Sequence, residues 1–507
     1  MRIKLLATAA VAFLASFTVH AQTPAFVSND IDAYIKKGMA DWKIPGLAIA
    51  IVKDGQVVMM KGYGVRDIKT NAPVNENTLF MIASNSKLFT ATALAQLEYN
   101  KQLSLDDKIT QYFPDFRLYD STTTQLVTIR DMLSHHLGTK TFQGDFTFWN
   151  SNLSRGEIMD KMQLLKPVAG FRNSFGYCNS CFLTAGEIIP KVTGKPWEVY
   201  VYDSLVVPLN MQNTHTLGYG MEQIPNASKP YTTAFTGEIK EIPYDHVDNL
   251  APAGSLLSNV KDLSQWLITQ LDSGRYEGRQ VLPWKVLQRT RDLNTIIGSR
   301  SSRNGLMHFN GYGLGVFEAD YDGKQVFWHT GGAFGFVTNT CFVPEERLGI
   351  TILTNQDNQE FFELLRYQVL DAYLQQPFVN KSEQAVTGFL QKEEKTNSAI
   401  RALQARVKGN APPLPLQSYT GTYENILYGP VVIEIAGNAL QVVFKGHNTL
   451  KASLQYLDND EWLLTYNNIA FGIFPTRFMM KNGKVNGITI KANDFVEYDP
   501  YIFTKKN

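Results

Sequence analysis

Met81-Ile-Ala-Ser84-Asn-Ser86-Lys87-Leu-Phe-Thr90 sets a serine and a lysine three residues apart at the head of a helix-forming run that continues to Tyr99. One helical turn separates them, so both side chains share a face. The N-terminus of a helix offers unbonded N–H groups and the positive end of the dipole, which favour negative charge developing near Ser84. A serine hydroxyl is a weak nucleophile until a base takes its proton, and a lysine whose pKa is lowered by burial can be that base. S-x-x-K also arises by chance, as a serine cap followed by a solvent-facing lysine, so the stretch acquires meaning only from its company.

Two further stretches supply it. Phe175-Gly-Tyr177-Cys178-Asn179-Ser180 precedes another helical run. A phenol beside an ammonium is pushed toward ionisation, so Tyr177 is expected to accept or relay a proton, and the Asn179 amide can fix Lys87 and bond a substrate carbonyl. By itself the hexapeptide reads as a turn with a packed tyrosine. Phe327-Trp-His329-Thr330-Gly331-Gly332-Ala-Phe-Gly335 ends a strand, and its glycines let another backbone approach closely. The N–H groups of Gly332 and Ser84 together can form an oxyanion hole.

In order and context the three elements resemble the penicillin-recognising serine hydrolases, the group of class C β-lactamases, DD-carboxypeptidases and D-aminopeptidases: S-x-x-K on a helix, Y-x-N before a helix, H/K-T-G on a strand. Thr128-Ile-Arg-Asp-Met-Leu-Ser-His-His-Leu-Gly138, the run from Tyr177 to Gly194, and Ala251-Pro-Ala-Gly-Ser-Leu-Leu-Ser258 resemble that group as well, and the likeness extends over about residues 30–373. The resemblance implies Ser84 as acylated nucleophile, Lys87 and Tyr177 as the proton-handling pair, and Asn179, His329, Thr330 and Gly331 as substrate-binding residues. It implies an oxyanion hole from Ser84 and Gly332. Which of Lys87 and Tyr177 is the general base stays open, and the pair is expected to titrate as a unit. His329 is a departure, since efficient β-lactamases of this group usually carry lysine there. A lysine stays charged at neutral pH and attracts a carboxylate; a histidine is mostly neutral. Cys178 stands where Ser or Ala is more usual.

Around these motifs the chain reads as α+β. Ser28 is expected to cap a helix over residues 31–42. Gly46 to Lys53 and Gln56 to Gly62 form a hairpin about Asp54-Gly55. Further hairpins are expected about Asp322-Gly323 and Pro344-Glu345-Glu346, with a helix over 359–373. Helical runs at 87–99, 129–137 and 180–193 lie between, giving an antiparallel sheet flanked by helices with an inserted helical region, the β-lactamase/transpeptidase-like arrangement. The division expected is a signal peptide at 1–21, a catalytic domain at 22–378, a helical segment and Pro-rich linker at 379–415, and an all-β, barrel-like (lipocalin-like) domain at 416–507. The aromatics of that last domain (Tyr419, Tyr423, Trp462, Tyr466) read as core; covering the cleft and mediating assembly are both open roles for it.

Composition narrows the function. The 507 residues carry 48 basic and 47 acidic side chains, a net charge of +1, which does not suggest a nucleic-acid partner. Arg2 and Lys4 precede an apolar run from Leu5 to Val19 that is shorter than the about 20 residues a bilayer span needs, and Val19-His20-Ala21 precedes Gln22 as a cleavage site would. Export to the periplasm or medium is therefore expected. Three cysteines leave at least one unpaired, and Cys178 and Cys181 read as packing residues that can form a local bridge. His135-His136 has no second cluster to make a metal site, and no metal or cofactor is expected. No G-x-S-x-G elbow occurs. The expected activity is hydrolysis of an amide or ester through an acyl-enzyme. Small peptides containing D-amino acids are the first substrate class, small esters the second and weak β-lactam turnover the third. A non-catalytic, penicillin-sensing binding protein is the rival reading; oligomeric state is not legible.

Overall fold

The computed structural model describes residues 23–299 and 305–506. The expected leader at 1–21 lies outside the described residues. Among the described residues no helix is long and apolar enough to cross a membrane.

Helix α1 (Ile31–Asp41) leads into strands β1 (Gly46–Lys53), β2 (Gln56–Asp67) and the short β3 (Ala72–Pro73). Ser28 does not cap α1: its hydroxyl bonds the Pro24 and Ala25 carbonyls, because a π-helical turn (Phe26–Asp30) precedes the helix. The β1–β2 turn has Asp54 and Gly55 both at positive φ, the type I′ geometry that matches strand twist. Every residue of Leu47–Val52 is fully buried, as befits a central strand covered on both faces. Leu47, Ile49 and Ile51 face α1, while Ala48, Ala50 and Val52 face the opposite core. Burying each of the large side chains contributes roughly 1.5–3 kcal/mol.

The helical region follows: α2 (Ser86–Tyr99), a single turn α3 (Asp145–Phe148), α4 (Asn179–Gly186) and α5 (Val260–Leu271). The helix expected over 129–137 stops at Leu133, and the run 180–193 breaks at Glu187 into two pieces. Then the chain returns to the sheet through β4 (Thr295–Gly298), β5 (Asn310–Tyr312), β6 (Phe317–Tyr321), β7 (Lys324–Ala333), β8 (Phe336–Val343) and β9 (Leu348–Thr354), and α6 (Phe361–Tyr373) packs beside α1. The sheet has nine strands in the order β4-β5-β6-β7-β8-β9-β1-β2-β3, with its ladders antiparallel. Sequence-distant ends therefore meet at the β9–β1 seam, as the reading of the sequence expects.

Helix α7 (Lys381–Ala405) docks through Trp42, whose indole N–H donates to Ser382 at 2.9 Å and whose ring meets Phe389. Past the prolines a closed antiparallel barrel forms from β10 (Gly421–Asn425), β11 (Gly429–Ala436), β12 (Ala439–Phe444), β13 (Lys451–Tyr456), β14 (Glu461–Tyr466), β15 (Ile473–Lys481), β16 (Lys484–Ile490) and β17 (Tyr501–Lys505). Closure removes exposed edges. Tyr419, Tyr423, Trp462 and Tyr466 are core, as expected. The barrel holds a guest from the catalytic domain: Phe146 of α3 is enclosed by the rings of Tyr428, Phe444, Tyr466, Phe471 and Tyr501.

Candidate active site

Ser84 sits on a 3-10 turn (Ala83–Asn85), two residues ahead of the start of α2 rather than within it. The preceding Ala83 has φ 47°, a left-handed conformation costly for a residue with a Cβ. The neighbours hold it there. The Ile82 N–H bonds the Leu256 carbonyl, Ser86 Oγ donates to the Ala83 carbonyl and accepts from the Leu256 N–H, and the Asn85 amide donates to Thr338 Oγ1 on β8. Helix α2 is buried almost all round, from Ser86 to Ala95, which takes Lys87 out of water completely.

Lys87 Nζ has three neighbours: Asn179 Oδ1 at 2.7 Å, the Ala253 carbonyl at 2.8 Å and Ser84 Oγ at 3.0 Å. Burial lowers its pKa from 10.5 to about 7, with nearby Asp145 working in the opposite direction. The amide oxygen and the carbonyl can only accept, so in the neutral amine they take its two N–H groups. The lone pair then faces the Ser84 hydroxyl. Asn179 opens α4 and donates its Nδ2 to Asp145 Oδ2 at 2.7 Å. Asp145 is itself fully buried, and desolvation raises its pKa well above the usual carboxylate range.

Tyr177 stands beside Ser84 in the same cavity, and Lys87 Nζ lies 4.7 Å from its ring centroid. The expected shift toward ionisation is reversed: burial drives the Tyr177 pKa up, with the Ser84 hydroxyl working in the opposite direction. The loss of water around the phenol, which the motif does not reveal, outweighs the neighbouring amine. Beneath Tyr177 lies His135, ring centroids 4.3 Å apart, with Nδ1 accepting the Cys178 N–H at 3.0 Å. Its pKa falls well below 6.5 through burial. His135 is thus a neutral support for the Tyr177 ring and the Cys178 N–H, a role the sequence reading missed. Cys178, Cys181 and Cys341 are free, buried thiols; the local bridge held open for the first two is not formed, and Cys178 Sγ instead meets Ser180 Oγ at 3.2 Å.

The opposite wall is the end of β7. Its partner β6 stops pairing at Trp328, so His329–Ala333 have β8 on one side and a bare edge on the other. A Cβ at Gly331 would lie 2.0 Å from the Ile82 carbonyl oxygen, so the contact between strand and Ser84 turn requires glycine. Gly331→Ala is expected to lower kcat/KM by about 100-fold and stability by about 1–3 kcal/mol, checked by ester turnover and thermal denaturation. His329 Nδ1 donates to the Thr330 carbonyl at 2.6 Å, and Nε2 therefore accepts from the Tyr312 hydroxyl at 2.9 Å. Burial and Lys87 lower its pKa to about 3. His329 is a neutral ring with both nitrogens engaged.

A cavity of about 410 Å³ brings together Ser84, Tyr177, Asn179, His329, Thr330 and Gly331, with Gly332 beside them. Every residue singled out in the sequence is in this one place, Lys87 directly behind Ser84. The structure adds Asp145 and, from the barrel, Asp494 to Val496 and Tyr498. Phe495 lies over Gly332, its ring 2.9 Å from where a Cβ would stand. Among the described lining residues none is lysine or arginine.

Fold and motifs together define a serine hydrolase of the penicillin-recognising kind. The chain belongs to the Beta-lactamase family, which matches residues 31–374; residues 405–505 match a domain of unknown function, DUF3471. Unguisins hydrolase ungD' of Aspergillus campestris (strain IBT 28561) is 27% identical over 446 residues, 80% of this chain and 78% of that protein. Protein flp of Staphylococcus aureus (strain COL) is 25% identical over 358 residues, 67% of this chain and 65% of flp, so the chain spans just under two thirds of that relative. The octameric penicillin-binding protein homologue from Pyrococcus abyssi has the same fold, with a TM-score of 0.60 at 21% identity over 94% of this chain and 99% of that one.

Proposed function

We propose that this protein cleaves an amide or ester bond through an acyl-enzyme on Ser84, with small peptides containing D-amino acids as its first substrate class and small esters as its second. The observation that carries the reading is the Lys87 amine, its pKa lowered to about 7, with two acceptors for its N–H groups and its nitrogen 3.0 Å from Ser84 Oγ. Lys87 takes the hydroxyl proton as Ser84 Oγ attacks the carbonyl carbon. The N–H groups of Ser84 and Gly332 receive the oxyanion. Tyr177, a protonated phenol beside Ser84, passes a proton to the leaving nitrogen or oxygen and is restored from Lys87. Water then attacks the acyl group by the same route in reverse. A hydrolase among the relatives is consistent with this chemistry.

The electrostatics of the wall refine the substrate. With His329 neutral and no lysine or arginine among the described residues lining the cavity, a substrate carboxylate would be desolvated there without a partner. Peptides with a capped or internal carboxyl side therefore fit better than peptides ending in a free acid, and the carboxylate of a β-lactam meets the same penalty. The test combines p-nitrophenyl butyrate turnover, mass-spectrometric trapping of an adduct on Ser84, and paired D-alanyl peptides as amide and as free acid. Turnover with an adduct, and an amide preferred by at least about tenfold in kcat/KM, is the expected result. No turnover and no adduct would leave a binding protein on this fold; a free acid preferred over its amide would overturn the substrate assignment.

A further inference from the structure

We propose that Glu497 of the C-terminal barrel is a positioning residue for the acylation machinery, holding the Gly144–Phe146 backbone so that Asp145 and Asn179 present Lys87 to Ser84. This rests on the acyl-serine reading above.

Glu497 is nearly buried and accepts three hydrogen bonds. The Gly144 N–H donates to Oε1 at 3.0 Å, and the Phe146 N–H and the Tyr501 hydroxyl donate to Oε2 at 3.0 and 2.8 Å. The two N–H groups belong to the residues on either side of Asp145, and all three donors favour the ionised, acceptor-only carboxylate, while burial works against them and raises the Glu497 pKa to about 7. From Asp145 the chain of contacts is direct: Oδ2 takes Asn179 Nδ2, and Asn179 Oδ1 takes Lys87 Nζ. Turn α3 has four residues and Gly144 at its N-cap, with no side-chain cap of its own. Its fixed position comes from the barrel instead. Phe146 fills the barrel mouth, His447 Nε2 donates to the Trp149 carbonyl at 3.1 Å, the Asn152 N–H donates to the Gly446 carbonyl, and Lys140 pairs with Asp499. A barrel that grips this segment on several sides is built into the active site, not merely tethered beside it.

The groups that titrate around this cluster are identifiable. Asp145, Asp499 and Tyr501 face Glu497. Lys87 is faced by Asp145, Cys178 and Cys181, with Tyr177, His135 and His329 in the same cluster. The charge on Glu497 opposes ionisation of Asp145, and an ionised Asp145 raises the Lys87 pKa. Removing the Glu497 charge thus lets Asp145 ionise more readily and moves the acid limb of kcat/KM upward in pH.

The experiment uses the full chain with Glu497→Gln, Tyr501→Phe and each combined with Asp145→Asn. Expected for Glu497→Gln is a fall in kcat of about tenfold or more with a smaller change in KM, and an acid limb displaced to higher pH. Tyr501→Phe removes one donor from the same carboxylate and keeps the ring, so it gives a smaller loss of the same sign even if Glu497→Gln does not fold. In the Asp145→Asn background both effects shrink, because the path runs through that carboxyl. Folded variants with unaltered kcat and acid limb, or losses of equal size in both backgrounds, overturn the proposal. Fluorophosphonate capture of Ser84 separates the two readings. No capture by the wild type sinks the acyl-serine reading, whereas equal capture rates in wild type and both variants sink only the role of Glu497.

Discussion

Replacing Ser84 with alanine is expected to bring hydrolysis of p-nitrophenyl butyrate to the buffer background, a loss on the order of a millionfold in kcat if the triad-like unit behaves as acyl-transfer units generally do. The expectation is this large because the nearest other nucleophiles among the described residues are engaged elsewhere. Ser86 Oγ is committed to the Ala83 carbonyl and the Leu256 N–H, and the Cys178 thiol is buried against Ser180. The fold should tolerate the change. Ser84 is buried, but its hydroxyl makes its contacts with Lys87 and Tyr177, and both retain packing and other partners. Kinetics of both proteins, with intact-mass spectra after exposure to substrate, check it. Residual turnover above about one per cent of wild type, or an adduct surviving in the variant, would remove Ser84 from the role of nucleophile.

The parts of this site that were legible in the sequence are those whose geometry is local or whose pattern is periodic. Ser84 and Lys87 are three residues apart, the first on the turn that runs into the helix of the second, and Gly46 to Lys53 with Asp54-Gly55 announces a hairpin by residue type alone. What escaped is set by contacts across long stretches of chain. Asp145 reaches Asn179 over 34 residues, and Glu497 reaches Gly144 over 353. A single aspartate between Gly144 and Phe146 carries no local mark of such a role, and Glu497 sits among ordinary turn residues. The state of Tyr177 escaped for another reason. Its pKa depends on how much water the fold removes, and a motif read in isolation shows the neighbouring charge but not the burial. His329 was read as mostly neutral from its ordinary pKa; the fold makes it firmly so by engaging both nitrogens.

These buried groups share one property: each is held in the less solvated protonation state by removal of water. Lys87 falls to about 7 and His329 to about 3, while Asp145 and Tyr177 rise. At neutral pH the cluster therefore carries little net charge, which suits a site that must create an oxyanion with no lysine or arginine among its described lining residues. Such perturbed groups are more common at working sites than elsewhere. The barrel sustains the dryness by covering Gly332 with Phe495 and by enclosing Phe146.

Lys87→Met separates catalysis from stability most sharply. Methionine keeps the unbranched stem and removes the amine, so kcat/KM should fall by about 10³–10⁴-fold, the contribution of a well-placed general base. The wild-type profile should rise from the acid side with a midpoint near pH 7, as the amine loses its proton, and this limb should vanish in the variant. Stability moves in a direction fixed by the same shift. Between the folded value of about 7 and the unfolded value of 10.5, the unfolded chain binds a proton at Lys87 that the native protein lacks. Native stability therefore increases with pH across that window, while below pH 7 both states are protonated and the penalty of burying the charge is complete. Relative to Lys87→Met, the wild type should gain about 1.4 kcal/mol per pH unit, or roughly 2–3 kcal/mol between pH 7.5 and 9.5. Urea unfolding of both proteins at those two pH values checks the sign. A difference that stays flat or narrows would mean that Lys87 keeps its proton in the native state, and the base would then have to be sought elsewhere in the cluster.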